Sequence, residues 1–367
     1  MPTTGADLHA IRADASKLQN TQRCLDHLTS AGHWHGETWT APSGGAGCSM
    51  EAPLTTEQAR SLLAGHHVMI IGDLAARLFY SALIFLVNGT ASPEEVAAGY
   101  PQHIGSCWNP DGYRVKGGYS FAGWDHIKKG TPCFSRWYGA GPNGIGAGTL
   151  YNLTLNHPPG SKNWWGRGSS RDVMTLLLRE KLLHSTWTLQ RHSITITYLW
   201  KGVVRTSGSY KSQHSRHLAT IASKVGRAPS LIVSAMGAYD SQWQNAHEVS
   251  KRLAGLFEGM ANKWPAADAG SPLLLFNGPS SCAKNKQYSV YMGSGTRHGT
   301  FRNMDNASSL IPYARVAAYN HSVLYLDTSG PQMSVPPLRN SPCMYDLPIG
   351  RMAESLVQIA LRAVGGH

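Results

Sequence analysis

The sequence predicts an α/β domain of the doubly wound type, and three observations carry that prediction. Short β-branched or apolar runs bounded by turn residues recur along the chain, most of them are apolar on both faces, and helical patterns fall between them. Residues 67–72 (HVMIIG) form the first candidate strand, apolar throughout and closed by glycine. A helical pattern over 75–87 follows, with apolar residues spaced three and four apart. A second helix is expected over 170–184, before a strand at 193–200 (SITITYLW) whose Ile and Thr alternate. The remaining order is helix 215–224, strand 231–235 (LIVSA), helix 242–263, strand 272–277 (PLLLFN), helix 303–319, strand 322–327 (SVLYLD) and helix 351–364. Five such strands make one parallel sheet, whose functional groups are expected at the strands' carboxyl ends.

Composition sets the outer limits. The chain has 367 residues, 42% of them hydrophobic and only 15% charged, which excludes a disordered protein. The longest apolar stretch, 68–87, carries Gly72, Asp73 and Arg77 in its interior and so is not read as a membrane span. The first twenty residues lack the apolar core of a secretory signal, so the expectation is an intracellular, non-secreted protein, in the cytoplasm, on the cytoskeleton or cilium, or in an organelle. Six scattered cysteines show no metal-ligand spacing, so no metal is expected, and without a signal free thiols are favoured over disulfides. Residues 1–66 read as a lead-in packed on a domain of 67–367. A Gly/Trp-rich insertion at about 88–190 is either an irregular cover of the sheet or a binding surface.

Lys+Arg number 33 against 21 Asp+Glu, a formal net charge of +12, and the excess has a location. Between Glu180 and Asp240 there is no acidic residue, while Lys181, Arg191, Lys201, Arg205, Lys211, Arg216, Lys224 and Arg227 supply eight positive charges. Such a run is either a solvated basic face or a contact for an acidic partner. No nucleic-acid motif accompanies it.

The turn Gly72-Asp73-Leu74-Ala75-Ala76-Arg77, between strand and helix, has the form in which backbone N–H groups hold an oxyanion. With Ile70-Ile71 before it, this phrase resembles the GDS block of the PC-esterase group. These SGNH-hydrolase relatives include trichome-birefringence-like and related polysaccharide or sialate O-acetyl transferases and esterases. Gly32-His33-Trp34, Trp39 and Gly47-Cys48 resemble the family's lead-in phrases, residues 231–240 (LIVSAMGAYD) its third block, and residues 303–320 with 324–327 its late helix and strand. The resemblance implies a three-layer α/β/α sandwich with a flavodoxin-like parallel sheet. It also implies acyl transfer by a Ser in the turn, with a His from a late D-x-x-H phrase as base.

Carried across residue by residue, that chemistry is missing its reacting atoms. Leu74 stands at the serine position; Asp346-Leu347-Pro348-Ile349 is the D-x-x-H phrase, with Ile349 in place of histidine; Ala235 stands where the third block often has Asn. Gly72, Asp73, Gly237 and Asp346 keep the pattern. Losing nucleophile or base alone removes most of the rate of such a unit. Ser81, Ser234, His298 and His321 are other hydroxyls and bases, and Asp305 and Asp327 other carboxylates, but no spacing assembles them into a triad. The expectation is therefore a non-catalytic subunit without cofactor, docked to an acidic protein surface such as tubulin in an axoneme, or in an organellar complex. The alternatives are an active carbohydrate O-acetyl esterase or transferase with other groups, and a single-stranded nucleic-acid binder.

Overall fold

The computed structural model describes residues 6–36, 38–44, 48–72, 74–88, 113–115, 118–120, 184–200, 213–236, 246–279, 304–334, 337–338, 341–345 and 349–366; within these segments a number of side chains, among them all those of 113–115, 118–120, 304–309, 337–338, 341–345 and 349–351, are left undescribed. In chain order the elements are α1 (Leu8–Ala13), α2 (Ala15–Ser30), β1 (His33–His35), β2 (Thr38–Thr40), α3 (Thr56–Leu63), β3 (His67–Gly72) and α4 (Leu74–Asn88). Then come β4 (Tyr113–Val115), β5 (Gly118–Ser120), β6 (His184–Leu189), β7 (Ile194–Trp200), α5 (Gln213–Val225), β8 (Leu231–Ala235) and α6 (Ala246–Lys263). The chain closes with β9 (Leu273–Asn277), α7 (Met304–Asn320), β10 (Leu324–Leu326), α8 (Ser329–Met333), β11 (Pro337–Leu338), β12 (Ser341–Tyr345) and α9 (Ile349–Gly365).

The fold is α/β, with a mostly parallel, mixed sheet of six strands in the order β10-β9-β8-β3-β7-β6. The five expected strands are all present, and they run parallel to one another. Taken in chain order those five run 2-1-3-4-5, so the order reverses between β3 and β8, the place where doubly wound sheets open a crevice. Because side chains alternate along a strand, Val68 and Ile70 enter one apolar cluster with residues of α2, α4 and α9. Met69 and Ile71 enter a second with residues of α5, α6 and α7. That double burial explains why the strands read as continuous apolar runs.

Two expectations change. The helix placed at 170–184 reaches the described residues only at His184, and that residue opens a strand. β6 pairs antiparallel with β7 across the turn of residues 190–193, from His184↔Leu199 to Leu189↔Ile194, and adds a sixth strand. Its Thr186 and Thr188 favour a strand, and Ser193 takes the left-handed conformation (φ 51°) that tightens the return. The second change concerns cysteine. Cys24 and Cys48 form a disulfide, with Cα atoms 5.5 Å apart, against the expectation of free thiols. Cys24 lies on the core stripe of α2 with Leu25 and Leu28, and the chain after the β1–β2 hairpin brings Cys48 onto it.

Side-chain amides tie the periphery to the sheet. Gln22 of α2 donates to the Tyr325 carbonyl (2.9 Å) and accepts from the Tyr325 N–H (2.7 Å), satisfying the open edge of β10. Gln358 of α9 holds both backbone groups of Leu54, at 2.6 and 3.3 Å, just before α3 and its Thr55/Gln58 capping box. Among the described residues no helix is long and apolar enough to cross a membrane.

Candidate functional site

The reversal point joins Gly72 to Ala235. The two are paired in register at the carboxyl ends of β3 and β8. Gly72 has φ of +151°, and a Cβ there would lie 1.8 Å from the Ala235 carbonyl oxygen and 2.9 Å from the Ala76 Cβ. Only glycine fits, so the residue carried by the sequence resemblance is demanded by packing at this strand-to-helix turn. Its carbonyl accepts from the Tyr198 hydroxyl at 3.3 Å, and the Tyr198 ring stacks on Tyr80 of α4 (centroids 5.5 Å). Ala235 is 1% exposed and belongs to the apolar cluster beneath α4 and α9.

Leu74 is the first residue of α4 and Ile349 the first of α9, and these two helices pack against one another. Their own side chains lie outside the described set, as do Asp73, Gly237 and Asp346 altogether. Of the other hydroxyls and carboxylates, Ser234 is buried on β8, and Asp327 accepts from the Ser329 N–H (2.9 Å) and hydroxyl (2.6 Å), a helix-start role. The side chains of Ser81 and Asp305, and the whole of His298, lie outside the described set.

One polar group in this region escaped the sequence reading. Asn277 closes β9; Ser234 pairs with Phe276, so the following residues, Ala235 and Asn277, end their strands side by side. Asn277 is 2% exposed and its Oδ1 has no hydrogen-bond partner among the described residues. A buried acceptor of this kind is costly unless something supplies a donor. The signal was an amide ending the apolar run LLLFN.

Three members of the basic run, Arg191, Arg216 and Arg227, have described side chains. Arg191 and Arg216 are exposed, the latter near the start of α5. Arg227, just past the end of α5, is turned inward: its guanidinium donates to the carbonyls of Gly65 and Ser193 and to the Thr195 hydroxyl, and burial lowers its pKa. Lys181, Lys201, Arg205 and Lys211 lie outside the described residues, and so does the Lys224 side chain.

Beside Arg227 a buried polar chain runs from the amino end of β3 across β7 to β6. The Arg227 carbonyl can only accept, so His67 Nδ1 donates to it at 2.9 Å and Nε2 is left to accept from Thr197 Oγ1 at 3.0 Å. Thr197 in turn accepts from Thr186 at 3.0 Å. Burial pushes the His67 pKa down to about 4, against the raising effect of the Arg227 carbonyl, and keeps the ring neutral. Among the described residues no group of three or more His, Cys, Asp or Glu side chains gathers to hold a metal ion. No known protein family, curated protein or solved structure matches this chain.

Proposed function

We propose that this chain is a non-catalytic protein on an SGNH-hydrolase-like, three-layer scaffold of flavodoxin-like strand order, acting as an interaction subunit of a larger assembly with an acidic partner. The observation that carries the reading is the closure of the reversal point. Where an acyl transferase of that fold would hold its reacting groups, Gly72 lies against the Ala235 backbone, and a leucine opens the next helix. The exposed members of the acid-free run supply the docking charge. Disulfides persist in oxidising compartments, so the Cys24–Cys48 bridge supports the organellar branch of the expectation over a cytosolic axoneme with tubulin as partner.

The test is activity-based labelling of the purified protein with a serine-directed fluorophosphonate, together with turnover of a small acetyl ester. Neither labelling nor turnover is expected of the native chain. Ester hydrolysis that the phosphonate abolishes would overturn the proposal and restore the esterase alternative.

A further inference from the structure

We propose that His33 and His35 form a two-imidazole surface site for a divalent transition metal that favours tetragonal coordination, Cu(II) or Ni(II). The two residues sit at alternate positions of β1, so both side chains stand on the same, exposed face of the hairpin. Their Nε2 atoms are 2.8 Å apart, and the ring centroids 4.6 Å apart with planes at 65°.

That spacing selects among metals. Two nitrogens each about 2.0 Å from an ion and 2.8 Å from one another subtend about 90° at it, the angle between adjacent ligands of a square-planar or tetragonal centre. A tetrahedral centre such as zinc would spread the same nitrogens to about 3.3 Å. The ring positions agree: a centroid lies about 1.2 Å behind its nitrogen, which at a right angle puts the centroids about 4.5 Å apart, against the observed 4.6 Å. In the metal-free pair one Nε2–H donates to the other Nε2. On binding, that ring releases its Nε2 proton and takes one at Nδ1, so both Nε2 lone pairs face the ion, and water fills the remaining positions.

The platform is rigid. Trp34, between the two histidines, faces the protein, donating from Nε1 to the Pro331 carbonyl at 2.8 Å and packing edge-on against Trp39 at 5.3 Å. Trp39 is 2% exposed and donates to the Leu28 carbonyl at 2.9 Å. Gly32, which leads into β1, leaves no room for a Cβ, since one there would meet the Trp39 ring at 2.4 Å. The hairpin register, His33↔Thr40 and His35↔Thr38, is pinned by these two tryptophans. An ion therefore meets ligands that need little ordering.

The experiment is calorimetric titration of the full chain with Cu(II), Ni(II) and Zn(II) chlorides, with electron paramagnetic resonance of the Cu(II) complex. Variants His33→Ala, His35→Ala and the double are compared, their folding checked by circular dichroism. The expected result is a Cu(II) site with nitrogen hyperfine structure, Ni(II) binding tighter than Zn(II), and a loss of about tenfold or more in affinity in each single variant. Unchanged Cu(II) affinity in the double variant, or Zn(II) binding as tightly as Ni(II), overturns the proposal.

Discussion

Replacing Cys24 and Cys48 together by alanine removes a cross-link whose value follows from the chain it closes. The bridged residues are 24 apart in sequence. With the chain-entropy relation, a loop of about 25 residues loses about 12 cal/mol/K in the unfolded state, which is about 3.5 kcal/mol at 25 °C. Both side chains are buried, so alanine also leaves a small void in the cluster holding Leu25, Leu28 and Trp39. The loss should show first in the lead-in. α2 carries both Cys24 and the Gln22 amide that closes the edge of β10, so loosening α2 exposes that edge. Urea unfolding followed by tryptophan fluorescence is the assay, run on native and variant proteins with and without reductant. Native protein should lose about 2–5 kcal/mol on reduction or on substitution, and the variant should be indifferent to reductant at this step. A variant within about 0.5 kcal/mol of the native protein would refute the reasoning and withdraw the support for an oxidising compartment.

Two further outcomes test the sheet. Gly72→Ala should destabilise by about 3 kcal/mol or more, because its Cβ would have to displace the Ala235 backbone from 1.8 Å, and a loss under about 1 kcal/mol by urea unfolding would deny that closure. His67 is held neutral, so the unfolded chain binds its proton first. That contribution is whole above the ordinary histidine pKa near 6.5, and up to about 3 kcal/mol of it is lost as pH falls through about 4. His67→Asn should therefore flatten the fall in stability between pH 7 and pH 4.5, and an unaltered slope would show that the ring is not buried neutral.

How much of this was legible in the sequence follows from what each signal records. The five parallel strands were visible because strands buried on both faces are continuous apolar runs, and such runs between turn residues leave few other readings. β6 was not, because an edge strand with one neighbour carries polar residues such as His184 and Ser185, and the residues before it blurred into a helical period. The disulfide was hidden for a different reason. Its two cysteines meet only after α2 and the hairpin have turned the chain back, a relation that sequence spacing does not encode. At the site, Gly72 was legible as part of a turn, but the reason for it lies across the sheet in Ala235. Asn277 was missed because one amide at a strand end reads as a turn residue until its burial is known.

The structure also separates the roles of the described members of the basic run. Arg227 belongs to the acid-free run by sequence, yet its guanidinium is spent on two carbonyls and a hydroxyl at the amino ends of β3 and β7. Its carbonyl meanwhile fixes the tautomer of His67. A residue so engaged acts on stability, and truncating it would leave those acceptors without a donor whatever partner is present. Arg191 and Arg216 of the same run are exposed. Exposed charges act over a Debye length of about 8 Å in physiological salt, so in the proposed docking they would steer an acidic partner and set its salt dependence more than they would hold it. The amino end of the sheet is thus where buried polar groups satisfy one another. At the carboxyl end, beside the closed pair of Gly72 and Ala235, Asn277 keeps a buried acceptor with no donor among the described residues.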